Sequence, residues 1–138
     1  MTVPQEYMLA QQRFDALLVE LIDKLGLTTR HQVYAVLFGF LQVFRSRLDA
    51  DQTLVFAGAL PAIVSAMFVA DWEPGEAPRP FADPAGYDEE VRNVRRDHNF
   101  APPGARRVVA AAIRSQCDCG AFNAALAQLP REAAAFWE

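Results

Sequence analysis

A set of local signals recurs in the sequence at a spacing of 69 residues, half the length of the chain. In each half, a helix end is followed by an aspartate suited to cap the next helix, a proline that starts another helix and an aromatic finish. The aligned segments are residues 44–49 with 113–118, 60–61 with 129–130, and 67–68 with 136–137. Recurrence at a fixed spacing is typical of a duplicated unit. We therefore predict two quasi-repeated units of four helices each.

Apolar residues at three- and four-residue spacing predict the individual helices. The first helix ends at Gly26, the second opens with a capping box at residues 29–32, and Asp49 caps the third. The predicted helices cover about 5–25, 29–48, 50–60, 61–70, 87–98, 103 or 104 through 113, 118–128 and 130–137. No segment alternates apolar and polar side chains for long enough to form a strand. The sequence therefore predicts a compact all-α fold of about eight helices.

The composition supports one helical domain over residues 1–138. With 138 residues, 52% hydrophobic and 22% charged, the chain can bury a core without disulfides, and disorder over most of its length is excluded. Four prolines and a glycine between residues 71 and 85 exclude a regular element there. We therefore predict repeat one over about 5–72, a proline-rich connector over about 73–85 and repeat two over about 86–138.

Residues 53–70 carry no charged side chain, and this leaves two interpretations open. Eighteen uncharged residues reach the lower limit for a membrane-spanning helix. The alternative is two short buried helices that meet at Pro61, where proline suits the first turn of a helix. The aligned segment of the other half carries Arg131 and Glu132, although two copies of a membrane hairpin would both have to be apolar. We therefore favour buried helices and expect no membrane partner.

The charge and the few reactive side chains exclude several functional classes. The net charge is −4, whereas a generic nucleic-acid coat would be basic, so we expect no nucleic-acid partner. Two cysteines do not make a disulfide framework, and residues 1–13 lack a signal-peptide pattern, which predicts a cytoplasmic protein. No triad, metal-ligand set or carboxylate pair can be assembled from the motifs. We therefore expect no enzyme activity, no catalytic residues, no cofactor and no metal.

Several segments carry the features of a known family. They are Arg-His-Gln-Val-Tyr at 30–34, Arg-Leu-Asp at 47–49, Ala-Leu-Pro at 59–61 with Phe-Val-Ala-Asp-Trp-Glu-Pro at 68–74, and Gln-Leu-Pro at 128–130 with Phe-Trp at 136–137. These segments resemble the bacterial family of unknown function DUF2267. The resemblance covers the chain from about Ala16 and implies a small, duplicated, all-helical bacterial protein without assigned activity. The sequence departs from the family's pattern at Cys-Asp-Cys, residues 117–119, where an apolar residue and a polar cap are usual.

Cys117 and Cys119 are the first candidate site residues. A disulfide at this spacing would be strained, and a zinc site lacks further ligands, because His98 lies about 20 residues upstream. The alignment places Cys117 opposite Leu48, which predicts a buried apolar role. Cys119 falls at the start of a helix, where a thiol ionises more readily, although the preceding Asp118 opposes this. Two interpretations stay open: both cysteines are structural, or Cys119 is a reactive thiol.

Five arginines around His98 are the second candidate, an anion-binding surface. They are Arg92, Arg95, Arg96, Arg106 and Arg107. Arginines of this kind can hold a phosphate or an acidic partner. The alternative is structural, because acidic residues at 88–90 would begin a helix that Arg95 and Arg96 end, and this complements the helix dipole. Glu89 or Glu90 can also pair with an arginine three or four residues later.

The functional prediction follows from this shortage of reactive groups. We predict a non-enzymatic helical protein–protein interaction module, with self-association as one form of it. Trp72 and Trp137 end the two halves at matching positions and suit either core anchors or a dimer contact. The alternatives are binding of a small apolar or anionic ligand between the two halves, and membrane association through residues 53–70.

Overall fold

A computed structural model of the chain describes residues 4–138, which contain eight α-helices and no β-strand. The helices are α1 (Gln5–Leu25), α2 (Arg30–Arg45), α3 (Ala50–Ala57), α4 (Ala62–Phe68), α5 (Tyr87–Asn93), α6 (Ala105–Gln116), α7 (Cys119–Ala127) and α8 (Glu132–Phe136). A short 3₁₀ turn, Pro84–Gly86, leads into α5. The predicted all-α fold of about eight helices is confirmed for this part of the chain. Residues 1–3, which belong to the segment assessed for a signal peptide, lie outside the described residues.

Side-chain caps form at the helix starts that the sequence predicts. The hydroxyl of Thr29 accepts a hydrogen bond from the amide of Gln32 at the start of α2, and Asp49 caps α3 in the same way. Asp118 caps α7 through a backbone amide three residues later. At the other end of a helix, Gly26 adopts a left-handed conformation and stops α1. These boundaries were predictable because each cap satisfies amides or carbonyls only a few residues away.

The core is centred on α2, and aromatic rings from both predicted halves meet there. The centroid of the Phe44 ring lies 4.9 Å from those of Phe56 and Phe136 and 5.5 Å from that of Trp137. Phe136 and Trp137 come from the end of the chain, so the two predicted halves share one core. Trp137 is buried there, whereas Trp72 is half-buried beside the proline-rich connector.

Three kinds of hydrogen bond recur at the predicted spacing of 69 residues. Nη1 of Arg45 donates to the carbonyl of Phe68 (2.9 Å), and Nη1 of Arg114 donates to the carbonyl of Trp137 (3.3 Å). The hydroxyl of Ser46 donates to the carbonyl of Val43, as the hydroxyl of Ser115 does to that of Ala112. The carboxylate of Asp49 accepts from the amide of Gln52, as that of Asp118 does from Ala121. These contacts agree with the aligned segments, while the duplication itself stays a prediction.

The uncharged segment 53–70 folds as two short helices, α3 and α4, separated by a bend that ends at Pro61. Phe56 and Phe68 are buried in the core, whereas Leu54 is 60% exposed. Within residues 4–138, no helix is long and apolar enough to cross a membrane.

The helix that begins at Tyr87 is shorter than the predicted span of 87–98. α5 ends at Asn93, and Arg95 adopts a left-handed conformation with φ of 51°. No glycine or proline marks this end in the sequence. The side chain of Asn99 donates to the carbonyl oxygens of Val91 and Val94, and the amide of Val94 donates to the carbonyl of Val91 as well. The early end of α5 therefore coincides with hydrogen bonds from Asn99, which lies further along the chain.

Candidate functional site

A cleft of about 620 Å³ lies between α5 and the segment 99–103 that leads into α6, and we call it the α5–α6 cleft. Its polar wall carries Asp88, Glu89, Arg92 and Arg96, and its apolar wall carries Phe100, Pro102 and Pro103. The volume falls within the range of roughly 300–1,000 Å³ that is usual for ligand pockets. The cleft lies inside the predicted second repeat and its border, and not between the two repeats.

Asn99 holds one wall of the cleft from inside the protein. It is 2% exposed, and its Oδ1 accepts a hydrogen bond from the amide of Ala101 (3.0 Å). Its Nδ2 donates to the carbonyl oxygens of Val91 (2.8 Å), Val94 (3.3 Å) and Ala35 (3.3 Å). These bonds tie the loop to α2 and to the end of α5. The neighbouring Phe100 is therefore presented on a firmly held backbone.

Gly39 allows α2 to approach this network closely. A Cβ atom at position 39 would lie 2.6 Å from the carbonyl oxygen of Val91 and 3.0 Å from Nδ2 of Asn99. Real Cβ atoms do not come this near to backbone oxygen, so only glycine fits without movement of α5. The close packing of α2 against α5, which supports the cleft, thus depends on the absence of a side chain at Gly39.

Asp88 joins the polar wall of the cleft to α6. Its Oδ2 accepts from the amide of Gly104 (2.9 Å), and its Oδ1 accepts from the amide of Arg106 (3.0 Å). Amides at the start of a helix have no carbonyl partner within it, and a carboxylate also complements the helix dipole. Asp88 therefore caps α6 from another helix, and both of its oxygens are engaged by the protein.

The structure separates the five arginines of the candidate anion-binding surface. Arg92 and Arg96 line the cleft, and neither takes part in the ion pairs found between residues 4 and 138. Arg95 lies over the ring of Phe38, with its guanidinium carbon 4.4 Å from the ring centroid. Arg107 is exposed on α6 and does not line the cleft. Anion binding itself stays a prediction, now confined to Arg92 and Arg96.

The fifth of these arginines, Arg106, is turned into the protein. It is 6% exposed, and its Nη1 donates to main-chain oxygens of Ala135, Phe136 and Glu138. Burial lowers the pKa of Arg106, while the nearby Asp88 carboxylate opposes that shift. A guanidinium at the last carbonyls of a helix satisfies acceptors that the helix cannot. Arg106 therefore has a structural role at the end of α8.

A partly buried ion pair anchors α5 on the side that faces α2. Nη2 of Arg47 donates to both carboxylate oxygens of Glu90, each at 2.9 Å, and the Arg47 side chain is 2% exposed. Nε of Arg47 donates to the carbonyl of Pro80 in the connector. The exposed Arg79 approaches the same carboxylate at 3.1 Å. Glu90 thus pairs with distant arginines and not with one further along its own helix.

The two cysteines lie in different environments, and both thiols are free. Cys119 is exposed at the first residue of α7, the position that the sequence predicts. Cys117 is half-buried, and its Sγ donates to the carbonyl of Ile113 (3.3 Å). Burial raises the pKa of Cys117 to about 11, while the positive charge of Arg114 opposes the shift.

We expect iodoacetamide at neutral pH to modify Cys119 well before Cys117. With a pKa of about 11, only about one Cys117 thiol in ten thousand is ionised at pH 7, and the thiolate is the nucleophile. Mass spectrometry of the Cys117→Ser and Cys119→Ser variants measures the rate of each thiol alone. The Cys117 rate should rise as the pH approaches its pKa. Equal rates at pH 7 would contradict the burial of Cys117, and a Cys119 rate no faster than that of free cysteine rejects a specially reactive thiol.

Asn99, Phe100 and Gly39 belong to the site but were not predicted. A lone glycine within the apolar stripe of α2 is a usable signal, because such a residue often marks close packing. Asn99 and Phe100 carry no comparable signal, since their roles depend on contacts with α2 and α5. The histidines contribute nothing to the cleft: His31 and His98 are exposed elsewhere. In the part of the chain that the structure describes, no three histidine, cysteine or acidic side chains lie together as a metal site would need.

A comparison with known protein families identifies the family of this chain. Residues 14–136 match the family described as "Uncharacterized conserved protein (DUF2267)". The chain belongs to this family. The DUF2267 match includes all of α2 to α8 and the α5–α6 cleft, and it leaves out the part of α1 that precedes Phe14. No curated protein matches the sequence.

Proposed function

We propose that this protein is a non-enzymatic helical module that binds another protein, with the α5–α6 cleft as the docking site. The position of Phe100 carries this proposal. Its side chain is 53% exposed at the cleft, while the adjacent Asn99 is held by buried hydrogen bonds. An exposed aromatic side chain on a firm backbone can bury a large area with little loss of conformational entropy, as residues at interface hot spots do.

The polar groups of the cleft support binding of a partner. Asp88 and Asn99 direct their hydrogen bonds to the protein's own backbone. The polar side chains left for a ligand are therefore Arg92, Arg96, Glu89 and Asn93. Guanidinium groups donate several hydrogen bonds in a fixed geometry and do not accept protons, so they orient a partner without reacting with it.

Photocrosslinking in cells of the source organism tests the proposal. Phe100 is replaced by benzoylphenylalanine, and Val19 on α1, which is 54% exposed, carries the same probe as the matched control. We expect a defined protein to be linked at position 100 and not at position 19. The same protein, once purified, should bind the wild-type chain and should bind an Arg92→Glu/Arg96→Glu variant more weakly.

Two results would overturn the docking site. One is the absence of an adduct at position 100 in a variant whose circular dichroism matches that of the wild type. The other is the same set of adducts at positions 100 and 19, which would show collision with abundant proteins. Self-association, ligand binding between the repeats and a cytoplasmic location stay predictions, and light scattering after size exclusion measures the first of these.

A further inference from the structure

The charges that face the α5–α6 cleft indicate what kind of segment it binds. We propose that the partner's docking segment is acidic, with carboxylates that bind Arg92 and Arg96 and an apolar side chain that packs against Phe100. This inference rests on the proposed function and gives the chemistry of the partner.

The two cleft arginines are available for an external anion. Arg92 is on the last turn of α5, and Arg96 lies in the turn that follows it. Both are exposed, and neither has a carboxylate within ion-pair distance among the described residues. Guanidinium groups bind carboxylates through two parallel hydrogen bonds, which is stronger and more directional than a simple charge contact.

The acidic residues that could neutralise these arginines are mostly engaged elsewhere. α5 opens with Asp88, Glu89 and Glu90. Asp88 caps α6, and Glu90 binds Arg47 and Arg79 on the side that faces the connector. Glu89 also lines the cleft, and its carboxylate takes part in none of the ion pairs found between residues 4 and 138. The formal charges of these cleft residues cancel, but both oxygens of Asp88 are occupied by amides of α6, whereas neither arginine takes part in the ion pairs of the described residues.

The apolar wall indicates that the ligand is larger than a simple anion and has an apolar part. Phe100, Pro102 and Pro103 line the cleft next to the arginines, and the volume of about 620 Å³ far exceeds that of an inorganic phosphate. Proline and aromatic surfaces gain from covering by apolar groups. A peptide that carries an apolar side chain beside its carboxylates satisfies both walls at once.

Nucleic acid fits the same surface less well. Binding to a phosphate backbone needs a stripe of basic groups at a regular spacing. Arg106 is withdrawn from any such stripe because it is buried at the end of α8, and Arg95, although exposed, is held over the ring of Phe38. The observations therefore favour an acidic peptide.

Fluorescence anisotropy with the full chain tests this inference. The probe is a fluorescein-labelled pool of peptides about twelve residues long, each with two Glu or Asp residues and one Leu or Trp in varied register. We expect the acidic pool to bind at least about ten-fold more tightly than a matched pool with Gln and Asn, and to weaken as salt is added. Inorganic phosphate should compete only weakly, because it makes no contact with the apolar wall.

Variants separate the cleft from general charge effects. Arg92→Glu/Arg96→Glu should weaken binding of the acidic pool by about ten-fold or more. Arg107→Glu/Arg131→Glu makes the same change in net charge at exposed positions outside the cleft lining and should leave binding unchanged. Glu89→Gln should strengthen binding by about two- to five-fold, because it removes a like charge.

Several outcomes would overturn acidic recognition. They are equal binding of the acidic and amide pools, equal losses in the two double variants, and tighter binding of a single-stranded DNA oligonucleotide than of any peptide. If the probe at Phe100 captures a partner while the acidic pool fails, the docking function stands and its acidic chemistry is wrong. If the pool binds but no partner is captured, the anion site stands and the proposed function falls.

Discussion

Replacement of Arg47 by alanine is expected to lower the free energy of unfolding by about 3–5 kcal/mol. The change leaves Glu90, whose side chain is 25% exposed, without its two-point partner. It also removes the donors to the carbonyls of Pro80 and Val43 and the guanidinium that lies 5.2 Å from the Tyr87 ring centroid. These contacts join α2, the connector and α5, so one substitution weakens three elements.

Arg79→Ala is the matched control for this effect. Arg79 approaches the same Glu90 carboxylate but is 61% exposed, and exposed ion pairs contribute about 0–1 kcal/mol. Urea unfolding followed by tryptophan fluorescence and circular dichroism measures both variants. Because Arg79 still faces Glu90 when Arg47 is missing, the loss belongs near the lower end of the expected range. A loss below about 1 kcal/mol for Arg47→Ala, or equal losses for the two variants, would contradict the role of the buried pair.

Gly39→Ala is expected to destabilise the protein by about 1–3 kcal/mol, although alanine is the better helix former. The added methyl group would meet the carbonyl oxygen of Val91 at 2.6 Å, and a backbone atom cannot turn aside as a flexible side chain can. α5 must therefore move away from α2, which also strains the hydrogen bonds of Asn99. We expect weaker binding at the α5–α6 cleft in the same variant.

Gly58→Ala is the matched control for a glycine in a helical conformation. Gly58 has φ of −66°, and a Cβ there would meet no atom closer than 3.6 Å. Its replacement should leave stability unchanged or raise it by up to about 1 kcal/mol, because alanine restricts the unfolded chain. Thermal and urea unfolding of the two variants measure the difference. Equal stabilities of Gly39→Ala and Gly58→Ala would show that α2 and α5 are not held as closely as the structure indicates.

Prediction from sequence succeeded where the deciding partners lie close together along the chain. Thr29, Asp49 and Gly26 act on amides or carbonyls within about one helical turn, so the ends of α1 and the starts of α2 and α3 could be read directly. The family resemblance was also predictable, because the segments that carry it are the same helix starts and ends. The end of α5 was predicted wrongly, since Asn99 acts on Val91 and Val94 from beyond the helix.

The candidate site was harder to predict because its charges are distributed by tertiary contacts. Five arginines stand near one another in the sequence, yet Arg106 is buried and Arg95 stacks on an aromatic ring. In the sequence, the acidic residues at the start of α5 look able to pair with arginines of the same helix. In the structure, Asp88 accepts from amides at the start of α6, and Glu90 pairs with Arg47. No local pattern encodes these choices, because each partner lies on another helix or in the connector.

The amino-acid sequence was enough to predict an all-α fold, the residues at which most helices begin, and the apolar stripes that are buried. Those properties follow from side-chain periodicity and from caps that act over a few residues. The three-dimensional packing was needed to show which arginines face solvent, which carboxylates are already engaged, and that Phe100 lies exposed on a loop held by the hydrogen bonds of Asn99. Burial and ion pairing depend on groups brought together from distant parts of the chain, such as Gly39 beside Val91 and Arg47 beside Glu90.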